Sequence, residues 1–377
     1  MKLLHVIDRI SLKMGGPPQV CAALLDGLSE TCDCKIAYYQ EDDQVEKIAF
    51  RDSIQHVPIR PGRKLPHALL GSESTKLLRD AIETVDVVHI HNVWEPVILA
   101  AAKISHKAKI PYVVTPHGML DPWSLSQKSW KKKLALQLGR RWMLENAKFI
   151  HVLNSQEEAG IRKLGIKNRC KIVPNGVTLN SIDPHLDASD AMEKFPSLKG
   201  RPFALFLSRL HFKKGLDILA DASNKFFETH PDWQLVVAGP DDGMEEKFRN
   251  QIETMGIGDR VLMTGPIYGS LKYSLLSACE FFCLPSRQEG FSVAILEALA
   301  ASKPVVITTD CHFNEVGEVG AGFVTSLDSG EIADRFGQLA QSKETRRSMG
   351  RIARSLVEEK YTWSAVVEML QELYESN

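Results

Sequence analysis

The chain has 377 residues, which is length enough for two domains with a core each. Forty-six Lys and Arg stand against forty-seven Asp and Glu, and a formal net charge of −1 gives no support to a nucleic-acid footprint. Seven scattered cysteines, odd in number and without a C-x-x-C pair, suggest neither a zinc site nor a secreted disulfide framework.

The apolar start Met1–Ile7 is too short for a signal peptide, and no run reaches the ~18 apolar residues of a membrane span. The expectation is a soluble cytoplasmic chain. Leu3–Ile7 reads as a buried strand and Val20–Leu28 as a helix. Between them, Gly15-Gly16 permits close approach of backbone to a ligand at a helix N-terminus, or else forms a flexible connector. The pattern is not G-x-G-x-x-G, so the dinucleotide fingerprint is missing. Further strands are predicted at Cys34–Tyr39, Ile54–Val57, Asp86–His91, Tyr112–Thr115, Phe149–Leu153 and Lys171–Val173. Helical patterns separate most of them, which makes this half a largely parallel α/β sheet.

Ligands of such sheets gather at the carboxyl ends of strands. His117 follows one strand, held between Pro116 and Gly118. That placement suits an imidazole shown to a substrate as donor or proton shuttle, and equally a capping or core histidine. His89 and His91 are expected to divide, one into packing and one toward a cleft. Residues 123–141, with Trp123, Trp130, Lys131, Lys132, Lys133, Arg140 and Arg141, continue into a helical pattern over Leu134–Leu144. They form either a solvated face or a docking face for anionic lipid headgroups or a lipid-phosphate acceptor.

Pro174-Asn-Gly breaks the pattern, and a polar stretch follows to Gly200. The boundary is placed near Asn175–Asn180, with a second sheet from Pro202. Strands are predicted at Phe203–Ser208, Gln234–Gly239, Val261–Gly265, Phe281–Leu284 and Pro304–Thr308, giving a second Rossmann-like sheet. The loop after the first of these carries Arg209, Lys213 and Lys214, with Gly215 at the next helix start. Beside a helix N-terminus, Arg209 and Lys214 suit a diphosphate, or are surface charge. Cys279 and Cys283 are expected in the core, and no metal site is expected.

The most informative stretch is Ser286-Arg-Gln-Glu-Gly-Phe-Ser-Val-Ala-Ile-Leu-Glu297. It reads as a loop entering a helix, with Ser292 as N-cap and Pro304 as the stop. The N–H groups of Gly290, Phe291, Ser292 and Val293 at the helix start offer an anion or hydroxyl site. Glu289 lies in the loop. Glu297 lies among apolar neighbours, so it binds something such as sugar hydroxyls or pairs with a base.

Assembled in order, these residues resemble the retaining glycosyltransferases of family 4, which have the GT-B fold. The resemblance rests on Glu289 to Glu297 as an E-x7-E signature and on Ser208-Arg-Leu-His-Phe-Lys-Lys-Gly215. Pro174-Asn-Gly-Val177 and Gly15-Gly16 add to it, and the likeness runs nearly end to end. Pro116-His-Gly-Met-Leu-Asp-Pro-Trp123 is similar to the version in bacterial exopolysaccharide enzymes. The resemblance implies an α/β chain of two Rossmann-like domains facing across a cleft. Residues 1–177 would bind acceptor, residues 178–360 the nucleotide sugar, and a C-terminal helix at 361–375 would cross back.

The same resemblance implies roles. Arg209 and Lys214 would bind the diphosphate, with Ser208 beside them and Gly15 and Gly16 approaching the phosphates. Glu297 would hold the ribose, and Glu289 the transferred sugar beside the amides of Gly290–Ser292. His117 would contact that sugar, and Ile267–Tyr268 would meet the base through backbone. The implied donor is UDP-glucose first, then other UDP-hexoses or GDP-mannose, with no further cofactor. The implied acceptor is a glycan or polyprenyl-linked oligosaccharide, with peripheral membrane contact through 123–141. A sugar-nucleotide epimerase on the same architecture and a non-catalytic assembly subunit are the competing readings.

Overall fold

A computed structural model describes residues 1–11, 16–40, 46–60, 70–121, 124–125 and 129–376. Contacts divide the chain into two units, Met1–Asn175 with the residues from Val366 onward, and Gly176–Ala365.

The first unit is a seven-stranded sheet of β1 (Lys2–Val6), β2 (Asp33–Tyr39), β3 (Gln55–Ile59), β4 (Val87–His91), β5 (Tyr112–Thr115), β6 (Phe149–Val152) and β7 (Cys170–Ile172). The order is β3-β2-β1-β4-β5-β6-β7, and every pairing is parallel. Parallel strands covered on both faces need apolar residues on both, and β4 and β5 are buried throughout. The helix Gly16–Leu28 begins with prolines in its first turn, where a missing N–H costs nothing, and buries Cys21, Leu24, Leu25 and Leu28. The helix Trp363–Glu375 buries Val366, Val367, Leu370 and Tyr374. Val367 leaves no room for a Cβ on Gly27, at 2.7 Å.

The second unit repeats the plan with six parallel strands. These are β8 (Phe203–Leu207), β9 (Gln234–Ala238), β10 (Val261–Gly265), β11 (Phe281–Leu284), β12 (Val305–Thr308) and β13 (Gly322–Thr325), in the order β10-β9-β8-β11-β12-β13. In both sheets the order reverses beside the first strand, between β1 and β4 and between β8 and β11. At such a point the outgoing loops run to opposite sides and leave a crevice at the carboxyl ends.

Three expectations need correction. The strand β13 had no place in the sequence reading, because four residues after Val319-Gly-Ala show no alternation to mark them. The helix expected over Leu134–Leu144 is broken: Leu138 and Gly139 leave helical geometry, Gly139 at φ 117°, between the helices Ser129–Ala135 and Arg141–Glu145. His89 and His91 do not divide between packing and cleft. Residues two apart on a strand share a face, and both imidazoles are fully buried with rings stacked at 4.4 Å. Cys279 and Cys283 are buried in the core as expected.

Candidate active site

In the second unit, the loops leaving β8 and β11 are tied to each other. The Arg287 guanidinium donates to both Asp217 oxygens at 2.7 and 2.6 Å and lies 4.3 Å from the Phe212 ring. The Arg287 N–H donates to the Lys213 carbonyl at 2.7 Å. Thr308 Oγ1 donates to the Ser286 carbonyl at 2.5 Å and fixes the start of the second loop. Gly215 ends the first loop in left-handed geometry, φ 68°, and a Cβ there would meet the Pro285 carbonyl oxygen at 2.0 Å. Left-handed backbone costs a non-glycine residue ~1–2 kcal/mol before any clash. Gly215→Ala is therefore expected to lower the melting temperature of this unit by several degrees, and an unchanged melting curve would contradict the packing described.

These ties bring Lys214 and Glu289 together. Lys214 Nζ donates to Glu289 Oε1 at 2.6 Å, with 13% and 8% of the two side chains exposed. The same oxygen accepts from Ser286 Oγ at 2.6 Å. Next comes the helix Val293–Ala300, with Ser292 in the N-cap position but its side chain unbonded to the helix. Phe291 packs on Phe313 and Tyr361, whereas a Cβ on Gly290 would meet open space. Val293 is exposed.

Glu297 takes the second of its sequence alternatives. It accepts from Lys272 Nζ at 2.6 Å and from the Tyr273 hydroxyl at 3.4 Å. Burial works against the Lys272 ammonium, but the Glu297 carboxylate outweighs it and holds the Lys272 pKa above its usual value. Arg209 does not share a partner with Lys214. Its guanidinium, 66% exposed, donates to Asp242 at 2.7 Å. Ser208 donates its N–H to the Ala238 carbonyl at 3.0 Å. Ile267 is buried, and Tyr268 is exposed at the N-cap of the helix Gly269–Ala278. Lys272, Tyr273, Asp242 and Ser286 were missed. Only Ser286 had a local signal, as the first residue of the loop that carries Glu289.

In the first unit, Gly16 opens its helix with nothing among the described residues within 4 Å of a Cβ, and Gly15 lies outside them. So do Trp123 and residues 126–128 of the basic segment. At the carboxyl edge of the sheet, two non-glycine residues take left-handed backbone, Asn92 at φ 75° and His117 at φ 51°. Such strain collects where function requires it. The His117–Gly118 turn is held by Glu157, whose carboxylate accepts from the Gly118 N–H at 2.7 Å and the Leu153 N–H at 2.8 Å. Burial pushes Glu157 up to about 7 against those two bonds. Asn92 Nδ2 donates to Asp8, and Asn92 Oδ1 is buried without a partner among the described residues.

Behind His117 lies a cluster of imidazoles. His117 Nε2 meets His91 Nδ1 at 2.9 Å, and His91 Nε2 meets His5 Nδ1 at 3.0 Å. Burial first, then His151, pushes His5 and His117 down to about 3, and burial takes His151 to about 4. Burial, then neighbouring imidazoles, holds His89 and His91 well below the usual range. Among the described residues one group has the spacing of metal ligands, His5, Cys21 and His91, with ligand atoms within 4.8 Å of one another. Burial raises the Cys21 thiol, so it is protonated, and the two imidazoles bond each other directly.

Comparison with known proteins bears on the family and the fold. The family model for glycosyl transferases group 1 matches residues 187–356, and that for the glycosyl transferase 4-like domain matches residues 15–176. The chain is similar to the phosphatidyl-myo-inositol mannosyltransferase of Mycobacterium leprae, 25% identical over 86% of this chain and 85% of that one. It is also similar to the GDP-mannose:cellobiosyl-diphosphopolyprenol alpha-mannosyltransferase of Xanthomonas oryzae pv. oryzae, 26% identical over 97% and 94%. Among solved structures, Anabaena HepE in complex with UDP and glucose superimposes with a TM-score of 0.76 at 19% identity, over 100% of both chains. Two doubly wound parallel-sheet domains of this kind define the GT-B architecture. The chain belongs to the GT-B glycosyltransferases.

Proposed function

We propose that this chain is a retaining, metal-independent hexosyltransferase that moves a sugar from a nucleotide diphosphate to a glycan or polyprenyl-linked oligosaccharide in exopolysaccharide assembly. The observation that carries the reading is the buried Lys214–Glu289 pair at the switch point of the second sheet, next to the helix start at Val293. An ammonium held by a carboxylate exchanges that partner for an incoming diphosphate, and the freed carboxylate then accepts hydroxyls of the sugar. Glu297, with Lys272 and Tyr273, is the candidate ribose site. Arg209, exposed and paired only at the surface, turns from Asp242 to the diphosphate.

The sequence contains no D-x-D, so the reading assigns the leaving diphosphate to fixed cations and peptide dipoles. Retention follows from same-face attack, with a departing phosphate oxygen taking the acceptor proton. Glu289 as nucleophile is the other route. Once Lys214 has turned to the diphosphate, Ser286 Oγ still donates to its Oε1 at 2.6 Å, which lowers its nucleophilicity and favours the first.

UDP-glucose remains the first donor to test, and the likeness to an enzyme named for GDP-mannose puts that donor directly beside it. A panel of UDP- and GDP-hexoses, read by nucleotide release and by the anomeric form of the product, tests the reading. Turnover is expected to persist in chelator. An epimer with its diphosphate intact would instead support the epimerase.

No helix among the described residues is long and apolar enough to cross a membrane. Trp130 and Leu138 are 66% and 64% exposed, with Leu134, Lys131 and Lys133 also exposed. We assign this face to peripheral contact with anionic lipid. Arg140 takes no part, since its guanidinium donates inward to the Trp94 carbonyl at 2.7 Å. Co-sedimentation with phosphatidylglycerol vesicles is expected, with Trp130→Ala and Leu134→Ser together reducing the bound fraction. Equal retention by that variant would remove the assignment.

A further inference from the structure

Buried imidazoles reveal which nitrogen carries hydrogen wherever the chain of bonds ends on a group with a single role. One such chain runs beside the candidate site. The Val173 carbonyl can only accept, so His151 donates to it from Nε2 at 2.8 Å. His151 Nδ1 is then bare and accepts from Thr115 Oγ1 at 2.9 Å. Thr115 in turn accepts from His89 Nε2 at 2.6 Å, and His89 Nδ1 accepts from the Tyr374 hydroxyl at 2.5 Å. Every member is satisfied and every tautomer follows.

The second chain is His5, His91 and His117, and its inner end is His5 Nε2. That atom is fully buried and has no hydrogen-bond partner among the described residues. A buried N–H without an acceptor is the rarer kind of orphan, and a bare acceptor the commoner. With Nε2 bare, the His5 hydrogen sits on Nδ1 and is donated to His91 Nε2. His91 then carries its hydrogen on Nδ1 and donates to His117 Nε2. The nitrogen left with the hydrogen on His117 is Nδ1.

We propose that His5 and His91 are positioning residues that hold His117 as a neutral imidazole with its hydrogen on Nδ1. His117 therefore offers a ligand oxygen a hydrogen-bond donor and is not a proton acceptor. The effect on turnover rests on the reading that His117 meets the donor sugar, whereas the tautomer does not. The left-handed turn at His117, pinned by Glu157, fixes the direction of that donor, and the buried pair behind it fixes its hydrogen.

The test uses the full chain labelled with nitrogen-15 histidine. Long-range nitrogen–proton correlation is expected to show His117 neutral with hydrogen on Nδ1. In His5→Asp a carboxylate accepts from His91 Nε2 and reverses the relay, so His117 is expected to shift to the Nε2 tautomer. Turnover of UDP-glucose or GDP-mannose, whichever the panel identifies, should fall about tenfold in kcat with KM little changed, the loss of one hydrogen bond. In His5→Asn an amide N–H replaces the Nδ1 hydrogen, and both tautomer and kcat should return. Hydrogen on Nε2 of wild-type His117, a tautomer unmoved in His5→Asp, or stoichiometric zinc bound to the purified chain would each overturn the proposal. The wild-type spectrum decides alone if His5→Asp does not fold. Should the tautomer respond as expected while His117→Ala turns over normally, the relay stands and the contact of His117 with sugar falls.

Discussion

Replacing Lys214 by Ala is expected to lower turnover about 100- to 1000-fold, corresponding to ~2.7–4 kcal/mol for one preorganised contact to a developing oxyanion. The substitution also strands Glu289, which among the described residues would keep Ser286 as its side-chain donor. An uncompensated buried charge destabilises strongly, by ~3–5 kcal/mol when one partner of a buried pair is removed. Turnover and stability must therefore be separated. Lys214→Met with Glu289→Gln removes both charges and is expected to recover much of the melting temperature without recovering turnover. Wild-type turnover by Lys214→Ala would show that the ammonium serves the fold and not the leaving group.

Lowering the pH from 7.5 to 5.5 is expected to unfold the first unit while the second persists. Five histidines of the first unit, His5, His89, His91, His117 and His151, have pKa values depressed by burial. A depressed group contributes stability that is present above its unfolded pKa of about 6.5 and is lost as pH falls toward the folded one, because only the unfolded chain binds the proton. Each costs about 1.4 kcal/mol over this interval, or roughly 6 kcal/mol for the set after discounting the partly exposed His117.

Glu157 acts with the opposite sign. Raised to about 7, it adds stability as pH falls, by about 2 kcal/mol over the same two units. The histidines win, and the remainder is comparable with a domain's total stability of ~5–15 kcal/mol. Hydrogen exchange followed by proteolysis reports on each unit separately. Equal protection of β4 and β5 at both pH values would show that the cluster takes up protons without unfolding.

The segments that carry the candidate site were legible in the chain because their signals are local. Apolar runs bounded by glycine and proline marked the strands before both loops, and Glu289 and Glu297 stand out within one loop and helix. Gly215 was legible as a helix start, though the Pro285 carbonyl beside it was not.

What the sequence determined by itself is the alternation of strand and helix, hence two parallel sheets, and which loops lie at strand ends. Tertiary structure alone decided partners. Lys272 reaches Glu297 across 25 residues, and Arg209 turns to Asp242 across 33. The imidazole cluster exists only because the strand order places β4 between β1 and β5, bringing His5 beside His89 and His91 beside Thr115. Periodicity reports which face a residue takes along its own strand. It carries no information on which strand lies alongside, and charge pairing and imidazole tautomers are settled between neighbours.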